Sequence, residues 1–346
     1  MPFDSQPIPT KKTARLVDVA KAAGVSHPVV SAVLLKTRTT TGVSEKTAQR
    51  IRKVALRLGF CPNYAAQQLA GKSSRLIGVL FPAVDFSQIA LERLRVMEQE
   101  AFRRNYRFMI GQLYDPEADL PQYVDDFVAR RVSAVFSFAA HSINDGSILS
   151  KLQHVVIGNE TVWANQYSVC VDTADGFFQA VCHLVKRGRK RIALLSAHLR
   201  GGMIQRKEGY EKGLKVCGQP IDSRLIWAGK GDNNPSKEQM KDAADFLIDR
   251  EKADSVVVSN DEWAVAFMKE LKRRGLRIPQ DVSITGYDNL DISRACDPEL
   301  TTVDQQNEEF SRCALDLLIH LIEKGALPNH KRQAKIKPRL IIREST

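Results

Sequence analysis

The chain has 346 residues, of which 43% are hydrophobic and 26% charged, with a formal net charge of +11. That length suits two or three folding units rather than one, with ample apolar material for a core. No apolar run approaches the ~18 residues of a bilayer span, and the opening MPFDSQPIPTKK lacks an apolar stretch after a basic start. Neither a membrane protein nor a secreted one is expected, and the expected location is the cytoplasm. The six cysteines are scattered without a C-x-x-C pair, which points to free thiols rather than a zinc or disulfide framework, and no cofactor is expected.

The charge is unevenly placed. Residues 1–72 hold twelve Lys or Arg against three Asp or Glu, a net of +9, which leaves +2 for the remainder. One basic end on a near-neutral body suits a polyanion-binding module, and a solvated basic tail gives the same count.

In chain order, residues 1–12 carry three prolines and no periodicity and read as a disordered leader. Residues 13–60 read as three helices. The first runs from Leu16 to Ala23, closed by Gly24. The second starts at an Ser26 cap with Pro28 in its first turn, where a missing N–H costs little, and ends near Leu34. Ser44 caps the third, in which Ile51, Val54, Ala55 and Leu58 recur at helical spacing; Gly59 and Pro62 end it.

The segment LVDVAKAAGVSHPVVSAVL at 16–34 has the organisation of a helix-turn-helix. Ala20 and Ala23 allow close approach, Gly24 allows the turn, and Val25, Val30 and Val33 form an inward face. Ser26, His27, Pro28, Val29, Ser31 and Ala32 are then left to point outward, as a DNA-reading helix requires. An αα-hairpin inside a bundle has the same pattern.

From Leu76 the texture changes. Nine short β-branched runs, at 76–81, 106–113, 133–138, 154–159, 167–172, 191–196, 225–230, 255–260 and 282–287, alternate with helical stretches such as 88–104, 174–187, 235–249 and 263–274. This alternation builds parallel sheets, and nine strands over that length suit two α/β lobes. Ligands of open α/β sheets bind at strand carboxyl ends. There is no G-x-G-x-x-G after the first strand, no P-loop and no histidine cluster, so the chain is not expected to be an enzyme.

The sequence resembles the LacI/GalR (lactose-repressor) family of transcription regulators. The resemblance is carried by DVAKAAGVS at 18–26, VSEKTAQRI at 43–51, LGFCPN at 58–63, AAQQLAGKSSRLIGVLFP at 65–82, RIALLS at 191–196, RKEGYEKGL at 206–214, SNDEWA at 259–264, RIPQDVSITGYDN at 277–289 and LTTVD at 300–304. It implies a three-helix helix-turn-helix domain, a hinge helix and linker at 61–75, and a two-lobed, periplasmic-binding-protein-like sensor with parallel sheets at 76–346. It also implies a homodimer on a palindromic double-stranded DNA operator, under control of a small-molecule effector, by default a sugar or sugar derivative. Tyr64 to Ala70 would form the hinge helix, with Leu69 wedging a minor-groove base step or packing on its dimer mate. Two features depart from the family. Ala32 stands where many members carry an arginine, and the turn LKTRTTTGVS is longer than the common form; Lys36 and Arg38 in it are candidates for phosphate contacts. In the sensor, Arg206, Asn260 and Asp288 are the leading effector contacts and Asn159 and Asp172 weaker ones. Phe86 either stacks on a sugar ring or packs in the core.

Overall fold

The computed structural model describes residues 14–35, 42–61, 74–83, 87–139, 143, 146–158, 166–199, 202–229 and 234–346. The leader, the hinge helix, and the site candidates Lys36, Arg38, Tyr64, Leu69, Phe86 and Asn159 lie outside the described residues. The chain divides into two compact units between Ser74 and Arg75.

The first unit contains α1 (Leu16–Ala23), α2 (His27–Leu35) and α3 (Glu45–Arg57). Asp18 accepts the Arg15 backbone N–H at 2.8 Å and closes the start of α1. Gly24 adopts φ 63°, ψ 41°, a left-handed conformation that suits glycine. The chain bends there by 111° between α1 and α2, within the range of a helix-turn-helix. Ser44 caps α3 through the Thr47 N–H at 3.3 Å. Val19, Ala20, Ala23, Val30, Ile51 and Ala55 form the core, with Val25, Val29, Val33 and Leu34 packed against it.

The second unit carries two six-stranded sheets. In chain order its strands are β1 (Leu76–Pro82), β2 (Arg107–Leu113), β3 (Ala134–Ser137), β4 (Val155–Ile157), β5 (Tyr167–Val171), β6 (Ile192–Ser196), β7 (Ile226–Ala228), β8 (Ser255–Val258), β9 (Ser283–Tyr287), β10 (Thr301–Asp304), β11 (Gln333–Ile336) and β12 (Arg339–Ile341). The main helices are α4 (Gln88–Arg103), α5 (Pro116–Ala129), α6 (Thr173–Lys186), α7 (Met203–Val216), α8 (Lys237–Ala244, continued as a π turn to Arg250), α9 (Asp261–Arg273), α10 (Ile292–Ala295) and α11 (Asn307–Lys324).

The first sheet has the order β11-β5-β4-β3-β1-β2 and the second β12-β10-β9-β8-β6-β7. Every pairing is parallel except β12 on β10. The first sheet packs on α4 and α11 through Met97, Phe136, Phe310 and Leu318; the second packs on α8 and α9 on one face and α6 and α7 on the other. The chain passes between the sheets three times: after β5 at Asp172, after β10 at Gln305 and Gln306, and between β11 and β12. All nine expected strands form, with trimmed ends. The three additional strands are three or four residues long; β10 is the short β-branched run TTVD, whereas KIKPRLII at 335–342, across β11 and β12, mixes charge and proline with its apolar residues. Among the described residues no single helix is long and apolar enough to cross a membrane.

Two glycines set the close packing of α7 on α6. A Cβ at Gly209 would stand 2.1 Å from the Ala174 carbonyl oxygen, and one at Gly213 would stand 2.8 Å from Val181 Cβ. The obstacle at Gly209 is helix backbone, which cannot rotate away. Gly209→Ala is therefore expected to destabilise the sensor unit by about 2–3 kcal/mol, at the upper end for overpacking. Urea unfolding checks this; a midpoint equal to that of the parent would reject it.

Candidate DNA-reading surface and effector site

In the first unit, α2 begins with Ser26, His27 and Pro28 all exposed. The Ser26 carbonyl accepts the N–H groups of Val29 and Val30, and His27 stands exposed at the first position of the helix. Ser31 and Ala32 are half-buried. Val29 corrects the expected outward face: it is half-buried and leans on the core beside Val25 and Val33. A helix of nine residues resting on two others buries a wide stripe, and Val29 falls at its edge. Sequence reasoning placed α3 but did not single out its cations as part of the surface. Lys46, Arg50, Arg52, Lys53 and Arg57 are all exposed on it, and of these Arg52 pairs with Glu45 at 3.0 Å.

In the sensor, Asp288 immediately follows β9, at a strand carboxyl end, with φ 114°. Asn289 beside it has φ 54° and Gln306, at the second crossing, φ 56°. Non-glycine residues hold such conformations only where their surroundings pin them. Here the pins are visible. Asp288 N–H donates to the Val303 carbonyl at 2.8 Å, Asn289 Nδ2 to Asp304 at 2.8 Å, Leu290 N–H to Asp261 at 2.7 Å, and Arg343 to Asn289 Oδ1 at 2.6 Å.

Around Asp288 stand Arg206, Gln305 and Arg93. Arg206, on the first turns of α7, donates to the Ser259 carbonyl. Its guanidinium lies 4.6 Å from the Tyr287 ring centroid and 5.8 Å from that of Phe177, so a pair of buried aromatic rings holds it in place. Gln305 Nε2 donates to Asp288 Oδ1. Arg93, buried on α4 of the other sheet's layer, donates to Gln305 at 2.7 Å and to Asn307 at 2.9 Å, and stacks 3.9 Å over Phe310. Burial pushes the Asp288 carboxyl up to about 6, and Arg206, the Gln305 hydrogen bond and Arg93 hold it from rising further.

Asp261 lies behind this site and is fully buried. It accepts the Thr302 hydroxyl at 2.5 Å and the Leu290 N–H, and Gly286 opposite it leaves no room for a side chain. Burial, then the charge of Asp288, pushes its carboxyl up to about 8. An acid raised in the folded state favours folding when protonated. Its contribution is whole below the ordinary value of 3.8 and drains as pH climbs toward about 8. The parent protein is thus expected to lose stability across that window, by at most about 1.4 kcal/mol per pH unit from this group. Asp261→Asn should flatten that slope; an unchanged pH profile of thermal unfolding would reject the assignment.

Two other candidates have structural duties. Asn260 is the N-cap of α9, its Oδ1 accepting Trp263 N–H at 2.9 Å. Asp172 is the N-cap of α6, accepting Asp175 N–H at 3.1 Å and pairing with Lys335 at 3.3 Å. Gln305 directly follows the matched LTTVD run and was not singled out. Asp261 lay within the matched SNDEWA run but was not singled out, and Arg93 had no signal beyond a charge on a helix.

Comparison with known proteins follows the same division. Residues 15–63 match the bacterial regulatory proteins of the lacI family, and residues 181–346 match a periplasmic binding protein-like domain. The chain thus carries a lacI-family helix-turn-helix domain followed by a periplasmic binding protein-like domain. It is 28% identical over 344 residues to the HTH-type transcriptional repressor PurR of Vibrio atlanticus (strain LGP32), covering 96% of this chain and 98% of the relative. It is 28% identical over 340 residues to the repressor CytR of Escherichia coli (strain K12), covering 96% of each. Its fold is that of the Lac repressor dimer bound to operator and the anti-inducer ONPF, with a TM-score of 0.79 at 24% identity, covering 96% of this chain and 99% of that one. The chain couples a lacI-type helix-turn-helix domain to a domain of the periplasmic binding protein type.

Proposed function

We propose that this lacI-family protein is a dimeric repressor of a palindromic operator whose affinity for DNA is set by a sugar or sugar derivative bound beside Asp288. The observation that carries the reading is the held pair at the strand carboxyl ends. Arg206 is fixed on two aromatic rings, facing a carboxylate that keeps its place on a strained backbone. A carboxylate, a guanidinium fork and a primary amide together suit a polyhydroxylated ligand, which both donates and accepts hydrogen bonds.

At the DNA end, Ser26, His27 and Pro28 lead the base-reading surface, with Ser31 and Ala32 behind them. His27 is the side chain there able to hydrogen-bond a base edge, and Ala32 offers an apolar contact such as a thymine methyl. Lys36, Arg38 and the α3 cations supply phosphate contacts, while Tyr64 and Leu69 act in the hinge. In the sensor, Asp288 and Arg206 bind the effector, with Phe86 and Asn159 as further contacts and Asn260 and Asp172 shaping the rim as helix caps. Effector binding shifts the dimer between arrangements with different operator affinity.

Selection of bound sequences from a random DNA pool, repeated with a panel of sugars and of purine bases and nucleosides, tests the whole reading. A palindrome should be enriched, and a sugar should change its retention. No enriched palindrome would overturn the repressor reading; a response to nucleosides alone would replace the effector class.

A further inference from the structure

Two of the six cysteines lie against each other on the helix pair that carries the effector site. Cys182 is in α6, half-buried, and Cys217 is the C-cap of α7, also half-buried. Their sulfurs are 3.1 Å apart, the Cys217 thiol donating to Cys182 Sγ. The approach is built into the packing. Gly213 meets Val181, and Cys217 and Cys182 sit one helical turn and one residue further on, so the glycine contact sets the spacing of the thiols.

We propose that Cys182 and Cys217 form a reversible intramolecular disulfide by exchange with a low-molecular-weight disulfide such as oxidised glutathione. Burial and the hydrogen bond from Cys217 push the Cys182 thiol up to about 12, so it does not start the exchange. Cys217 is then the thiol that starts it. Its thiolate attacks one glutathione sulfur, the glutathione S–S bond breaks, and one glutathione leaves and takes up a proton. Cys182, giving its proton to water, then attacks the Cys217 sulfur of the mixed disulfide and expels the second glutathione. Two protein thiols are oxidised, and one glutathione disulfide is reduced to two thiols. The contact between the sulfurs makes the second step intramolecular and therefore fast relative to escape.

The bond would fix the spacing of α6, which carries Phe177, and α7, which carries Arg206. It would also restrict the unfolded chain, so the oxidised protein should melt several degrees higher.

The test uses the full chain, folded, incubated with oxidised glutathione and read by intact mass and peptide mapping. The parent should lose two hydrogen masses, yield a linked peptide containing residues 182 and 217, and return to the reduced mass with dithiothreitol. Cys182→Ser should trap a glutathione adduct on Cys217, and Cys217→Ser should leave Cys182 unmodified. Two variants that differ in outcome separate this chemistry from misfolding. A parent whose Cys182 and Cys217 both remain open to alkylation after incubation, or which holds a stable adduct on Cys217, overturns the proposal.

Discussion

Ile51→Asp is expected to abolish operator binding, by at least about a hundredfold, while the sensor unit still folds and binds its ligand. Ile51 is fully buried where all three helices of the first unit meet, alongside Val19 and Val30. Placing a carboxylate there without a partner costs several kcal/mol. A unit of this size has little stability to lose, because it buries a small share of its surface on folding. The dividing point at Ser74 puts every sensor core residue outside the affected unit. Gel-shift titration should show the loss, and calorimetry should retain the transition of the larger unit. Retained operator affinity would mean that the DNA contact lies elsewhere than on α2.

What was legible in the sequence followed local rules. Gly24 and Ser44 punctuated the helices because a left-handed turn and an N-cap each demand particular residues. Most of the nine strands were visible because strands buried on both faces become continuous apolar runs, while the edge strands β2 and β7, partly exposed, were read from their short β-branched and aromatic runs. The short strands β10 to β12 were not, since their conformation comes from partners far along the chain: Thr302 pairs with Gly286 on one side and Ile341 on the other. The outward face of α2 was read one residue too wide at Val29, because periodicity locates a stripe but not its edge.

The candidate effector site shows the same limit. Asp288 and Arg206 stood out through their motifs, and the structure brings them together with Gln305. Asn260 and Asp172 shared the same place at strand ends, yet their side chains close the first turns of helices. A polar residue between a strand and a helix meets two demands, ligand and cap, and local sequence does not separate them. Arg93 belongs to the site through a hydrogen bond to a residue 212 positions away, a relation that no window along the chain contains.

Asp288→Asn is expected to separate effector binding from DNA binding. Asparagine tolerates positive φ about as well as aspartate, so the strained backbone at φ 114° should survive. Its Oδ1 can still accept from Gln305 Nε2. What disappears is the charge facing Arg206 and one strong acceptor for a ligand hydroxyl. The expected loss is about 2–3 kcal/mol in effector affinity, near a hundredfold, with operator affinity in the absence of effector unchanged. Stability should not fall. The parent carboxyl is raised to about 6, so above that pH the folded protein bears a buried charge that the variant lacks. The pH dependence sharpens the test. Parent affinity for the effector should weaken as pH drops through about 6 and the carboxylate is protonated, whereas the variant, neutral throughout, should show a flat profile. Titration calorimetry with the sugar found in the panel, run on both sides of that value, distinguishes the two. A variant that binds like the parent, with the same pH profile, would remove Asp288 from the effector site and leave its carboxylate as a structural anchor for Gln305 and Arg206.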